Sequence, residues 1–473
     1  MEYIYGDDPA RVDALIRRIF SIDETTLGDE RSRFVVRFRG RLVAQDSAEA
    51  YAWLADQLKF YNLTPLFRVE EGRQVILLIR GVENPKPSNP RINLLLFLLT
   101  LVSVWFTGGI LGTEGELPQG IGAIVLELLT KGWPFAVSMI AILAAHEFGH
   151  YLVGRHHGVH VTLPYFLPLP YPFSPFGTMG AFINMKESPR NRRILLDIGL
   201  AGPISGLVVA IPVVLIGLSL SNLDPLPAAA AASGFGQLQL EGNSILYLIL
   251  KFIVFGEWLP APASYDGIAP ILYWARYLFT GQPLPYGGLD VSLHPVAWAG
   301  WAGILITSLN LIPAGQLDGG HILYTLLGPR NAKRALPIIL AALVILGFFW
   351  SGWWFWAFLI FLLGRAHAEP LDQITQLDSR RKILGILALI SLVIAIVLII
   401  LNRKNPVSGE LKFELAGEDL GAFNLGSGWN TTKISKRALP PQLGLQSLKG
   451  KKSKAAAGAV DATARTTDGA YQE

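Results

Sequence analysis

Residues 133–153 read WPFAVSMIAILAAHEFGHYLV. About 20 apolar residues in a helix cross the hydrocarbon core of a bilayer, so this stretch is long enough to span a membrane. It nevertheless carries His146, Glu147 and His150 near its end. Ionisable side chains inside a membrane helix are costly and usually functional. The stretch therefore predicts a membrane protein and marks where its chemistry lies.

The spacing of the two histidines is that of a metal site. His146 and His150 are four residues apart, share one helix face, and can both reach one zinc ion. Glu147 stands beside them, where it can take a proton from a water that the metal activates. The chain has no cysteine, so a metal must be held by His, Asp or Glu. The alternative is a chance pattern, which an apolar helix makes improbable.

Two histidines leave such a site incomplete, because a catalytic zinc takes three protein ligands and an open position. The best candidate is Asp318, in the nearly uncharged stretch 310–320 that closes a later span. Asp318 could instead cap a helix that starts at Gly319. Asp197 competes for the role, but it lies among Arg192 and Arg193 and can pair with them. Three other histidines are expected to be exposed or interfacial: His156, His157 and His160.

The two motifs together resemble one family. His-Glu-x-x-His at 146–150, followed by Asn-x-x-Pro-x-x-x-x-Asp-Gly at 310–319, resembles the site-2 protease family of intramembrane zinc metalloproteases. The resemblance covers about residues 90–400. It implies that Zn²⁺ is bound by His146, His150 and Asp318, and that Glu147 is the general base. It also implies that Asn310 and the bent segment containing Pro313 help to hold substrate.

The expected activity follows from that resemblance. It is cleavage of a peptide bond in or near a transmembrane segment of a membrane protein, by Glu-assisted attack of zinc-bound water. Residues 200–203 and 177–182 also resemble the branch with plastid and cyanobacterial members, and no segment resembles a PDZ domain. The competing functions are a transporter or metal carrier and an inactive membrane scaffold. A transporter has no need of Glu147 beside the histidines, and an inactive relative should lack one of the four residues.

Composition supports a membrane chain. Hydrophobic residues make up 51% and charged residues 16% of the sequence, whereas soluble proteins carry about 25% charged residues. No basic stripe with interleaved aromatic residues is present, so nucleic acid is not an expected partner. The expected partners are the lipid bilayer and a membrane-spanning protein substrate.

Four regions are predicted. Residues 1–85 form a small cytoplasmic α+β domain of regulatory or substrate-selecting role. Residues 86–91 are a Pro-rich linker that should let few contacts cross. Residues 92–401 are the membrane-embedded metalloprotease core. Residues 402–473 are a polar tail, expected to be disordered from about Pro440.

The front domain has the pattern of a β-α-β-β unit. A strand is expected over 34–42. Asp46-x-x-Glu49 is typical of a capping box that opens a helix. Two further strands, 66–69 and 75–79, should form a hairpin that turns at Glu71-Gly72.

The core is expected to be mainly α-helical and polytopic, with about six to eight spans. Residues 336–363 should form a helical hairpin, whereas 245–255 and 268–279 are too short for confident spans and are either interfacial or re-entrant. The other predicted spans are Ile92–Leu111, Trp133–Val153, Ile194–Leu220, Leu293–Ile312 and Ile383–Leu401.

Lysine and arginine near span ends predict orientation. The basic segments 154–193 and 328–334 should be cytoplasmic, which places the front domain and the active-site opening on the cytoplasmic side. The tail does not fit, because Arg403 and Lys404 follow the last span. Either 336–363 crosses once or the tail breaks the rule.

The stretch 161–186 is apolar but rich in proline, and a short strand is expected near its end. Backbone at membrane depth is tolerated only where it lines a cavity or is buried in protein. The strand, with Gly177, Gly180 and Ala181, could hold a substrate in extended form. The alternative is a re-entrant plug. Three small residues in the third span, Gly202, Ser205 and Gly206, favour close helix packing.

Overall fold

The structure is a computed structural model. It describes residues 9–401 except 30, 114–117, 227–241, 281–284, 286, 349–351 and 365–368, and two paired strands, Glu410–Leu415 and Glu418–Asn424. Most described residues are helical, and an α+β region comes first. The predicted disorder beyond Pro440 lies outside the described residues.

The front domain contains two helices and a four-stranded antiparallel sheet in the order β1-β2-β4-β3. Its elements are α1 (Pro9–Ile19), β1 (Phe20–Leu27), β2 (Val36–Leu42), α2 (Ser47–Leu58), β3 (Leu63–Glu70) and β4 (Arg73–Arg80). The predicted β-α-β-β unit is present as β2, α2, β3 and β4, but the prediction missed α1 and β1. Val12 and Ile16 of α1 are fully buried in the domain core, yet two apolar positions among arginines are a weak sequence signal.

Local chemistry explains the boundaries that were predicted. Asp46 caps α2 by accepting a hydrogen bond from the Ala48 N–H at 2.9 Å. Glu71 and Gly72 both have positive φ, 51° and 80°, at the two-residue turn between β3 and β4. Such turns match the twist of the strands that they join. The helix start at Asp46 and the turn at Glu71-Gly72 are confirmed, whereas no bond from Glu49 back to Asp46 is described that would complete a capping box.

The core begins with three long helices. They are α3 (Pro90–Gly112), α4 (Ile121–His156) and α5 (Arg192–Ser219). Among the described residues, these three are long and apolar enough to cross a membrane. Helix α4 starts twelve residues before the predicted span. Gly132 in this added stretch lets α4 pack closely on α3, because a Cβ there would lie 2.2 Å from the Trp105 carbonyl oxygen.

Seven further helices complete the described core. They are α6 (Ile245–Phe255), α7 (Pro270–Thr280), α8 (Pro295–Asn310), α9 (Asp318–Leu327), α10 (Pro329–Gly347), α11 (Gly352–Leu363) and α12 (Ser379–Leu401). Among the described residues, every predicted apolar segment is therefore helical, within a few residues at most ends. Two small antiparallel sheets accompany the helices: β5 (Tyr165–Pro168) pairs with β6 (Thr178–Phe182), and β7 (Asn222–Pro225) pairs with the distant β8 (Leu289–Ser292).

The front domain makes more contacts with the core than the Pro-rich linker led us to expect. Residues 371–373, here called the strap, pair with the edge of the front sheet: the Phe67 N–H donates to Leu371 O, and the Gln373 N–H donates to Phe67 O, both at 3.0 Å. On its other side the strap N–H groups donate to the carbonyls of Pro189 and Arg190. The expectation of few crossing contacts is wrong.

Side chains reinforce this junction. Ser47 donates to the buried carboxylate of Asp372 at 2.8 Å. Arg193, at the start of α5, donates to Asp46 at 2.7 Å, and this hydrogen bond lowers the pKa of the Asp46 carboxyl. The front sheet is thus continuous with the segments that lead into α5 and α12.

Candidate metal centre

Helix α4 carries the two histidines and the glutamate. His146, Glu147 and His150 expose only 3%, 4% and 5% of their surfaces, so they lie inside the protein and not against lipid. Their helix packs on α5, where Gly202 and Gly206 repeat the same four-residue spacing. A Cβ on Gly202 would lie 2.0 Å from His150 Nε2, and one on Gly206 would lie 3.1 Å from His146 Nδ1. The glycines make room for the imidazoles.

Asp318 completes a cluster with the histidines. Its Oδ2 lies 3.2 Å from His146 Nε2, its Oδ1 lies 3.3 Å from His150 Nε2, and the two Nε2 atoms are 3.3 Å apart. Ligands about 2.0 Å from a tetrahedral zinc ion lie about 3.3 Å from one another. The three groups therefore have the separation that one small tetrahedral ion requires, and together they could hold a metal.

A hydrogen bond from the His150 ring to a backbone carbonyl sets the tautomer of this histidine. Its Nδ1 lies 2.7 Å from the carbonyl oxygen of Ile198 in α5. A carbonyl only accepts, so Nδ1 carries the proton and Nε2 presents its lone pair to the cluster. Metal-binding histidines are held in this way by an outer partner. Sequence analysis missed Ile198, and no side-chain pattern could reveal a backbone carbonyl.

Asp318 is the first residue of α9 but does not cap it. The N-cap is Leu317, and no side-chain capping bond is present. The alternative role as a helix cap is therefore wrong. Among the described residues, Asp318 Oδ2 is buried without a hydrogen-bond donor. A carboxylate oxygen that faces the lone pair of His150 Nε2 and has no N–H donor among the described residues is suited to a cation.

Two glycines bring Asp318 to this place. Helix α8 ends at Asn310 and the chain turns sharply before α9. A Cβ on Gly319 would lie 1.8 Å from the Leu311 carbonyl oxygen, and one on Gly320 would lie 2.4 Å from the Gly315 carbonyl oxygen. The Asp-Gly-Gly sequence thus permits the close approach that points Asp318 at α4.

Glu147 is buried beside the cluster, and the part of the chain that the structure describes offers it no hydrogen-bond or ion-pair partner. Its carboxyl group is consequently free to exchange a proton. Asn310 lies close as well, with Nδ2 at 3.3 Å from His146 Nε2.

Asp197, the competing ligand, lies outside the cluster. It accepts hydrogen bonds from Arg381 at 2.7 Å and lies 3.1 Å from His157 Nε2. Its predicted pairing with Arg192 or Arg193 is wrong, although the conclusion that it is held in an ion pair is right. His160 pairs with Glu187, so neither histidine takes part in the cluster.

The other predicted residues lie at varied positions. Pro313 is half-buried in the turn between α8 and α9. Gly177 has φ of 73° and packs on α3, where Ser103 donates to its carbonyl at 2.6 Å. Gly180 and Ala181 are in β6, paired with Leu167 and Phe166 of β5. The structure does not bring Gly177 to the cluster.

A buried His-Glu-x-x-His helix, joined by a carboxylate from a later segment and packed among membrane-length helices, forms a cluster that could hold a metal ion. Residues 134–349 match the family model described as Peptidase family M50, which confirms the resemblance to site-2 proteases. No solved structure matches the chain.

The relatives that match the chain include plant proteins. One is "Probable zinc metalloprotease EGY2, chloroplastic" of Arabidopsis thaliana, 33% identical over 262 residues, which are 55% of this chain and 40% of the relative. Another is "Probable zinc metalloprotease EGY1, chloroplastic" of Oryza sativa subsp. japonica, 28% identical over 359 residues, 67% of this chain and 55% of the relative. The chain spans about half the length of the curated relatives that it matches.

Proposed function

We propose that the chain is an intramembrane zinc metalloendopeptidase that cleaves a membrane protein in or near a transmembrane segment. One observation carries the proposal: His146, His150 and Asp318 meet at tetrahedral ligand spacing beside a buried, unpaired Glu147 on a membrane-length helix. The names of the plant relatives, zinc metalloproteases, support the same activity.

The ligand set fits zinc. Two imidazole nitrogens and one carboxylate without thiolates are a known catalytic combination, and three ligands leave one position open. His146, His150 and Asp318 would hold the ion. When bound there, zinc acts as a Lewis acid and lowers the pKa of water to a value near neutrality.

The residues of the chain supply the remaining chemistry. Glu147 would accept the proton of the attacking water and later deliver it to the leaving amine, a role open to a carboxyl group without another partner. Asn310 would donate an amide N–H to the carbonyl oxygen of the scissile bond, since its Nδ2 already lies 3.3 Å from His146 Nε2. Burial of the centre keeps bulk water away from these steps.

Substrate must present an extended backbone, because a transmembrane helix hides its carbonyls in its own hydrogen bonds. We propose that the turn containing Pro313 and the strand β6, with Gly180 and Ala181, flank the cleaved segment. Gly177 would act through β6, as the residue that fixes this strand to α3. A plug without substrate contact is the alternative for the hairpin.

For the membrane topology we propose six to eight spans, with residues 1–85 and the opening of the centre on the cytoplasmic side. The boundaries proposed above, a linker at 86–91, a core at 92–401 and a tail at 402–473, complete this arrangement. Lysine and arginine near the span ends support it.

The test is a comparison of zinc content and cleavage in purified protein reconstituted into liposomes with a panel of single-span substrates. Glu147→Gln should retain one zinc per chain and lose cleavage, because the ligands remain and the base is gone. Asp318→Asn should lose zinc, since a neutral amide is a poorer ligand. Asp378→Asn, at an exposed carboxylate, is the matched control. Zinc retained by Asp318→Asn, or cleavage retained by Glu147→Gln, would refute these assignments, and zinc transport without cleavage would indicate a carrier.

A further inference from the structure

A groove separate from the metal centre lies between the end of α9 and the start of α12. Its volume is about 600 Å³, within the range of roughly 300–1,000 Å³ that small-molecule sites occupy. Seven of its ten lining residues are leucine or isoleucine; the other three are Arg192, Gln376 and Lys382. No lining residue is acidic.

The two cations of the groove lack carboxylate partners in the described chain. The Lys382 side chain makes no described contact there. Arg192 donates to the carbonyl of Thr325 in the last turn of α9, but its Nε is buried without a described acceptor. The nearby carboxylates of Asp197 and Asp378 are both occupied by Arg381. Among the described residues, neither Arg192 nor Lys382 is therefore bonded to a carboxylate.

The apolar wall runs from these cations along α12. From Lys382 to Ile390 the helix rises about 12 Å, at 1.5 Å per residue. Half of a hydrocarbon core is about 15 Å thick, which is the depth of one leaflet. Leu389 and Ile386 lie along this wall, and Leu323 and Leu326 of α9 face them. The groove thus has a basic end, and its apolar wall is about as long as one acyl chain.

We propose that this groove binds an anionic phospholipid. The phosphate would lie at Arg192 and Lys382, in the first turns of α5 and α12, and one acyl chain would fill the space between α9 and α12. Basic pockets at the cytoplasmic ends of membrane helices bind anionic head groups in this way. The inference requires neither bound zinc nor proteolysis.

The experiment uses the full chain in phosphatidylcholine nanodiscs, with photoreactive phosphatidylglycerol or photoreactive phosphatidylcholine as the probe. Labelled peptides are mapped by mass spectrometry, without any protein substrate. Phosphatidylglycerol should label α9 and α12 in preference to phosphatidylcholine. Lys382→Gln should reduce that preference about fivefold, the effect expected of one cation near a charged head group.

Three further variants make the test specific. Arg192→Gln should act like Lys382→Gln. Arg380→Gln, at an exposed residue of the same helix turn outside the groove, should keep the preference. Leu389→Trp should lower labelling by both lipids because it fills the apolar length.

Two results would overturn the proposal: equal labelling by both lipids, or an unchanged preference in Lys382→Gln and Arg192→Gln. Loss of lipid label on adding a transmembrane peptide with acidic flanks would instead assign the groove to substrate.

Discussion

Replacing Gly202 by alanine is expected to displace one metal ligand without touching any ligand residue. The new Cβ would lie 2.0 Å from His150 Nε2, 2.4 Å from Cε1 and 2.5 Å from Cδ2. Nonbonded heavy atoms make their best contact at about 3.5 Å, so the ring must move by about 1.5 Å. Zinc–nitrogen distances tolerate changes of only about 0.2 Å.

The movement would also break the 2.7 Å hydrogen bond from His150 to Ile198. Loss of an outer partner alone costs about 10–100-fold in metal affinity. Gly202→Ala, which moves the ligand itself, should cost at least about 100-fold. Gly206→Ala should cost less, because its Cβ would lie 3.0 Å from Thr307 Oγ1 and 3.1 Å from His146 Nδ1.

The assay is zinc per folded chain after competition with a graded series of chelators, measured on monodisperse protein. Gly217→Ala is the control for general damage to α5, since its Cβ would lie 2.2 Å from the Ala297 nitrogen, away from the cluster. The reasoning is refuted if Gly202→Ala binds zinc as tightly as the parent, or if Gly217→Ala loses zinc to the same extent.

Two further predictions concern residues away from the cluster. Arg68→Ala should destabilise the junction of the front domain by about 2 kcal/mol, because Arg68 donates to the carbonyls of Pro370 and Leu371 and hydrogen bonds from charged groups contribute that much. The rate of limited proteolysis in residues 81–89 measures this loss of stability. An unchanged rate would contradict the role of the strap. Asp197→Asn should leave zinc content unchanged while weakening the ion pair with Arg381, as metal analysis and thermal unfolding would show; loss of zinc would return Asp197 to the ligand set.

Much of this architecture could be predicted because apolar length and local spacing are written directly in the sequence. The segment 245–255 is helical over its predicted length, and α5 differs from its predicted span by two residues at the start. The spacing of His146 and His150 fixes a shared helix face without any tertiary information. Asp318 could be identified because a lone acid in an uncharged stretch needs a partner.

The missing parts depend on contacts between distant segments. The strap is three residues between α11 and α12 that have no periodicity of their own, and its pairing with Phe67 spans about three hundred residues of sequence. The contact from Ile198 uses its backbone carbonyl, which every residue type has, so the sequence carries no signal for it. Gly202 and Gly206 were correctly predicted to serve close packing, but the sequence does not say that their neighbours are imidazoles.

Helix α5 connects all of these long-range features. Its N-cap residue Asn191 pairs with the strap, and Arg193 in its first turn reaches Asp46 of the front domain. One turn further, the Ile198 carbonyl sets the tautomer of His150, and the next turn supplies Gly202 beside the same ring. The stretch from Asn191 to Gly202 covers about three helical turns and lies before the first interior proline of α5, Pro203. The front domain is therefore attached to the element that positions a proposed metal ligand, which gives it a structural route to the centre that a flexible tether would lack.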